Sequence, residues 1–274
     1  MPIIAITREM GSLGKDVAQG VSEAFGIPLI YHEIIDHLAD RMRLRKSHVM
    51  RLLDGSAGIL ERMTADKTSL SIYAAEEIVS LALQDRGAVI RGWGAAQLLR
   101  EVPHVVCVRV CAPFEVRKQR MMERLGANDA DKVAEEIRDN DEAHAAIMLR
   151  HFSVDYTDPE QYDVVLNTQR VSVAECVDQV LRLARSPAFA ETEAARQRLK
   201  DLALSCQVRA ALRRSPRTRD MRVTVKVENG CVSFDGAGYR ADERAVLREV
   251  AATVPGVRET EDLMRTINLR ARFA

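Results

Sequence analysis

The chain reads as an α/β protein: a doubly wound parallel sheet over residues 1–185, a linker at 186–196, and a small α+β module at 197–274. Three observations predict this. Short apolar runs alternate with segments of helical spacing from the first residues to about Arg185, the pattern of βα units. The runs "GAVI" and "HVVCVRVCA" are continuously apolar rather than alternating, as strands covered on both faces are. Beyond Pro187 the pattern changes: "MRVTVKVENGCVSFDGAG" alternates with period two on either side of Asn229-Gly230, the strongest short-range hairpin signal.

Taken in order, Ile3–Thr7 is strand-like, and Val17, Val21 and Phe25 predict a helix over Asp16–Phe25. "IPLIY" is a second short strand, followed by helices to about Asp66. Ser69–Arg86 reads as a long helix with Ile72, Ala75, Ile78, Val79 and Ala82 on one face. After "GAVI" and "HVVCVRVCA" come an arginine-bearing helix around Arg117, the strand "YDVVLNT", and a helix from Val173 to Ala184. "RSPAFAETEAARQR" is polar and alanine-rich, a linker running into a helix around Leu199–Leu212. The hairpin, a helix from Ala241 to Thr253, a Pro255-Gly256 turn and an extended segment complete the chain.

Composition narrows the function classes. Lys and Arg number 40, as do Asp and Glu, so no net charge draws the chain to nucleic acid or anionic membrane. Aromatics are 4% of residues, too few for the stacking platforms of single-strand binders, and no nucleic acid partner is expected. Cys107, Cys111, Cys176, Cys206 and Cys231 form no CxxC pair, which argues against a metal site and suits a reducing compartment. "PIIAIT" follows Met1 with no signal-like segment, and no run reaches membrane-spanning length. The expectation is a cytoplasmic protein, not an integral membrane one.

The stretch "AITREMGSLGKDVAQGV" carries the first functional signal. A phosphate-binding loop needs backbone N–H groups at a helix N-terminus, glycines that let the anion approach, and a lysine to neutralise it. Gly14-Lys15 fits the end of G-x-x-x-x-G-K-[ST], but Glu9 stands where the first glycine belongs and Asp16 where the hydroxyl does. The alternative is a strand-to-helix turn with Asp16 complementing the helix dipole.

From these residues the chain resembles the cytidylate kinase-like family, a branch of the P-loop nucleoside monophosphate kinases. The resemblance rests on "ITREMGSLGKDVAQGVSEAFGIPLIYHEIID", "GAVIRGWGAAQLL", the helix around Arg117 and "DPEQYDVVLNT", and covers roughly residues 1–185. It implies a P-loop kinase sheet and phosphoryl transfer from ATP, with Mg²⁺, to a nucleoside monophosphate, CMP or dCMP being the best match. Gly11, Ser12, Gly14 and Lys15 would hold the donor phosphates, with Asn167-Thr168 contacting the donor's adenine or the loop, or Asn167 simply serving as a turn residue. Arg117, Arg120 and Arg124, spaced along one helix, would join Lys15 at the moving phosphoryl group. Arg91, Trp93 and Asp141 would meet the acceptor, Trp93 being either a base-stacking or a core residue. The family's glycine-arginine-glycine is here Gly92-Trp93-Gly94, and its lid arginine is replaced by His144, expected on the helix surface. Residues 197–267 resemble a BON domain through the V-x-V-x-V-x-N-G-x-V-x-F-x-G hairpin, Gly230, Gly236 and Gly256. That implies a phospholipid or protein partner. Arg209, Arg213, Arg214, Arg217, Arg219 and Arg222 could supply the contact or simply be solvated.

Overall fold

The computed structural model describes residues 1–54, 66–92, 94–236 and 239–262. It divides into two compact units, Met1–Ala195 and Arg196–Ala274. Trp93 and residues 55–65 lie outside the described residues.

In the first unit, β1 (Ile3–Arg8) enters a tight loop and then α1 (Gly14–Phe25). Next come β2 (Leu29–Ile30), α2 (His32–Met42), α3 (Lys46–Asp54) and α4 (Lys67–Ala82). They are followed by β3 (Ala88–Arg91), the short α5 (Ala95–Leu99) and β4 (Val105–Cys111). The unit continues with α6 (Phe114–Leu125), α7 (Ala130–Phe152), β5 (Val164–Asn167) and α8 (Val173–Ala184). The five strands make one sheet in the order β2-β3-β1-β4-β5, and every pairing is parallel. On one face α1 and α8 pack Val17, Ala18, Val21, Cys176 and Val180 against Ile4, Ile6, Val106 and Val108. On the other, α5 is close enough for the Cys107 thiol to donate to the Ala96 carbonyl at 3.3 Å. This is the doubly wound α/β sheet expected.

The departures have local causes. The helix α4 stops at Ala82 rather than Arg86, because the chain must turn sharply at Gly87 to lay β3 beside β1. Gly87 has φ 70°, and a Cβ there would come 2.6 Å from the Pro2 carbonyl oxygen. The expected linker contains a 3-10 turn at Pro187–Phe189, whose Phe189 packs against the first unit's core. The following helix, α9 (Glu193–Arg214), begins before Leu199, with the Thr192 hydroxyl accepting from Ala195 N–H at 3.1 Å.

In the second unit β6 (Thr224–Glu228) and β7 (Cys231–Asp235) pair antiparallel, and Asn229 and Gly230 both have positive φ (50° and 80°). That is the type I′ turn the sequence predicts. The helix α10 (Ala241–Ala252) and β8 (Glu259–Asp262) follow, β8 lying parallel to β7. Leu204, Val208 and Leu212 of α9 meet Val225, Val227, Val232 and Phe234 of the hairpin and Leu247 and Ala251 of α10.

Candidate active site

The site forms at the carboxyl ends of β1, β4 and β5, where an open parallel sheet presents its ligands. The loop after β1 is held from below. Glu9 N–H donates to the Val110 carbonyl at 3.1 Å, and the Glu9 carbonyl accepts from Ser12 N–H (3.2 Å) and Ser12 Oγ (2.8 Å). Gly11 (φ 79°) and Leu13 (φ 60°) turn the backbone into α1, and the Leu13 carbonyl opens the helix by accepting from Asp16 and Val17. A Cβ at Gly11 would sit 2.8 Å from the Arg117 carbonyl oxygen, and one at Gly14 would sit 2.6 Å from Arg8 Cβ. Among the described residues, no hydrogen bond uses the N–H of Gly11, Leu13, Gly14 or Lys15. Lys15 is exposed and makes no ion pair among the described residues. Four unsatisfied donors and a free cation at a helix N-terminus are the parts of a phosphate cradle. Ser12 is different. It is fully buried and turned to Glu9, so it shapes the loop instead of facing a ligand.

Glu9, the residue in place of a glycine, is the hub beneath the loop. Its carboxylate accepts from Arg109 Nη2 at 2.5 Å and from Ala112 N–H at 3.2 Å, with Arg117 Nε 3.5 Å away. Arg117 is buried, and protein groups occupy it on every side. Nε donates to the Ala112 carbonyl (3.1 Å), Nη1 to the Met10 carbonyl (3.3 Å), and Nη1 and Nη2 to the two Asp141 oxygens (3.2 and 2.8 Å). One guanidinium therefore ties the loop, the end of β4 and α7 together. Arg120 donates to Thr168 Oγ1 (2.9 Å) and to the Thr168 carbonyl (2.8 Å), and Thr168 Oγ1 donates to the Ser12 carbonyl at 2.8 Å. Arg124, the third arginine of the helix, is exposed.

The three arginines thus do not converge on one point: Arg117 and Arg120 brace the loop and Arg124 faces solvent. Asn167 Oδ1 accepts from Gln169 N–H at 3.0 Å, so the turn reading describes its oxygen. Arg91 is buried at the end of β3 with its guanidinium 3.8 Å over the Tyr31 ring. Asp141 is committed to Arg117. His144 corrects the expectation of a surface position. Its ring packs 4.5 Å from that of Tyr156, and burial, with Arg8 and Arg109 nearby, pushes its pKa down to about 4. It points inward because α7 lies against the sheet's ends through Asp141, one turn earlier. Tyr156 is buried beneath it, with Arg109 5.7 Å over its ring, and burial raises the phenol's pKa.

Sequence reasoning missed Arg109 and Tyr156 as parts of the site, whereas Thr168, expected with Asn167 near the donor's adenine or the loop, does meet the loop at Ser12. Arg109 had a signal: it is the one charge in "HVVCVRVCA", and a charge in a covered strand must find a counter-ion.

The cytidylate kinase-like family matches residues 3–170 and the BON domain matches residues 191–268. A cytidylate kinase from Methanothermobacter thermautotrophicus is 29% identical over 170 residues, 61% of this chain and 96% of that protein. A cytidylate kinase from Methanosarcina barkeri is 24% identical over 90 residues, 33% of this chain and 49% of that protein. Among solved structures, an uncharacterized protein from Eubacterium ventriosum superposes with TM-score 0.54 at 22% identity, covering 68% of this chain and 99% of that one. A parallel sheet with a glycine loop after its first strand, matched by family over most of that unit, leads to one conclusion: the chain belongs to the cytidylate kinase-like family and carries a BON domain behind it.

Proposed function

We propose that the first unit transfers a phosphoryl group from ATP to a nucleoside monophosphate, CMP or dCMP, and that the BON domain binds a regulatory or locating partner, a protein in preference to a phospholipid surface. The observation that carries this is the loop itself: the N–H groups of Gly11, Leu13, Gly14 and Lys15 without acceptors, beside an unpaired Lys15 side chain. This donor set suits the phosphates of ATP, and Gly14 lets the loop lie directly against the end of β1, where a Cβ would come 2.6 Å from Arg8 Cβ. Asp16, exposed in the first turn of α1, offers an oxygen ligand of the hard kind Mg²⁺ takes together with substrate phosphates. Mg²⁺ bound there would neutralise charge between the donor's terminal phosphates.

The chain's own part is positioning and charge. Lys15 meets the donor phosphates, the loop N–H groups fix their place, and Arg117 and Arg120 hold the loop's shape through Met10 and Ser12. Arg91 over Tyr31 lies at the end of β3 as an acceptor-side element, and Trp93, two residues on in sequence, is a candidate for the base. A second reading, a nucleotide sensor without turnover, is favoured by one fact: Arg117 and Arg120 are spent on protein partners.

The test is ATP consumption with Mg²⁺ across CMP, dCMP, UMP, AMP and GMP, with Lys15→Ala beside the wild type. Turnover with one acceptor, at least a hundredfold lower in Lys15→Ala, is expected for the loss of a cation that contributes more in the transition state. ATP binding that Lys15→Ala weakens, with no turnover on any acceptor, would select the sensor. Equal ATP binding by both proteins would remove both readings.

A further inference from the structure

The helices α6 and α7 form a hairpin with a small core of its own, Met121, Val133 and Ile137, distinct from the core of the sheet. Phe114, Met122 and Ala127 of the same hairpin pack against it. Among the described residues one side chain joins it from elsewhere: Met10, the loop residue before Gly11. The Met10 carbonyl is held by the same two helices. It accepts from Arg117 Nη1 of α6 at 3.3 Å, and Asp141 of α7 clamps that guanidinium through both carboxylate oxygens. Ile137 and Asp141 are four residues apart, so one face of α7 serves both holds on Met10, the small core at its side chain and Arg117 at its carbonyl. Gly11 follows with no room for a Cβ against the Arg117 backbone.

The loop needs such holds. Leu13 has φ 60°, a left-handed conformation that a residue with a side chain keeps only where its surroundings impose it. Ser12, bonded to Glu9 and Thr168, fixes the middle of the loop, and Met10 fixes its entry. A methionine in a core is by itself ordinary gap filling. What sets Met10 apart is that its backbone runs directly into the N–H groups that lack acceptors. We infer that Met10 is a positioning residue: it seats the donor loop on the α6–α7 hairpin, so that the packing of α7 sets how well the loop is shaped for phosphates before they arrive. A loop ordered in advance binds more tightly, because less ordering remains to be done on binding. The effect on ATP rests on the kinase reading; the seating of the loop does not.

The experiment measures amide hydrogen exchange in the full chain without nucleotide, then calorimetric binding of ATP with Mg²⁺. It compares the wild type, Met10→Ala, Met10→Leu, Ile137→Val and the double variant Met10→Ala with Ile137→Val. The Ser12 and Val17 amides, bonded to the Glu9 and Leu13 carbonyls at 3.2 and 3.1 Å, report the loop, and those of Ile4 and Ile90 report the sheet. Met10→Ala should speed the loop amides about tenfold, with the sheet amides unchanged within about twofold, and weaken ATP about fivefold. Met10→Leu, which refills the space, should stay within about twofold of the wild type in both measurements. Ile137→Val offers no polar group to a ligand, yet should speed the loop amides about threefold alone and add almost nothing beside Met10→Ala. This pattern in a wild type that binds no ATP would keep the seat and remove the donor reading. Loop amides unmoved by Met10→Ala, loop and sheet amides speeded together, or equal effects of Ile137→Val with and without Met10 would overturn the inference. So would ATP bound equally by the wild type and Met10→Ala. Should Met10→Ala fail to fold, Met10→Val shortens the side chain less and is judged by the same outcomes.

Discussion

Thr168 joins three elements with one hydroxyl, and two predictions belong at this scale. It is 3% exposed, donates to the Ser12 carbonyl, and accepts from Arg120, while its own N–H donates to the Cys111 carbonyl at 3.0 Å. Thr168→Val leaves buried donor and acceptor groups unmatched, at a cost of about 1–3 kcal/mol. ATP affinity should fall roughly five- to tenfold because the loop loses its brace at Ser12, and Thr168→Ser should restore it; isothermal calorimetry reads both. For His144 the sign follows from a folded pKa of about 4 against an ordinary 6.5. Between those values the unfolded chain takes up a proton that the folded chain refuses, so the stability it contributes is complete above pH 6.5 and is lost as pH falls toward 4. At 1.36 kcal/mol per pKa unit this is on the order of 3 kcal/mol. His144→Leu should remove that dependence, shifting the stability difference in the variant's favour between pH 7 and pH 4. Urea unfolding followed by the fluorescence of the single tryptophan, Trp93, measures it.

At the scale of elements, periodicity made most of the fold legible, because each strand and helix writes its own burial pattern. The helix from Val173 to Ala184 is found at its expected bounds, with Ser172 and Glu175 forming a capping box. The hairpin is found where Asn229-Gly230 put it. Less was legible where long-range packing decides: the end of α4 depends on Pro2, and the inward turn of His144 depends on Asp141 meeting Arg117. The glycine loop was readable as a candidate cradle. The commitment of Arg117, Arg120 and Ser12 to the protein was not, since helical spacing tells which residues share a face but not what lies opposite. In the second unit the hairpin turn has a partner outside its own strands. Asp201 of α9 is 7% exposed and accepts from Asn229 N–H at 2.9 Å and Gly230 N–H at 3.2 Å. Asp201→Ala should destabilise that unit by about 1–3 kcal/mol. Faster amide exchange at Val225 and Val232, with the first unit's amides unchanged, would report it.

For the whole molecule, the two units have separate cores, one in the parallel sheet and one under the mixed sheet. They should melt as two transitions, and Mg²⁺-ATP should raise only the one reported by Trp93, because only the first unit holds the loop. Differential scanning calorimetry with and without nucleotide checks this, and a single transition shifted as one would refute it. The strand order has a further consequence for how the protein is made. Of the five strands of the parallel sheet, the central one is synthesised before the others, and its neighbours β3 and β4 follow much later. Until Val110 and Ala112 emerge, Glu9 has nothing to hold, and the turn above it has no floor. A nascent chain therefore carries its glycine sequence long before that loop has the partners that fix its shape, and a translation product that ends before β4 has the residues of the cradle without the cradle.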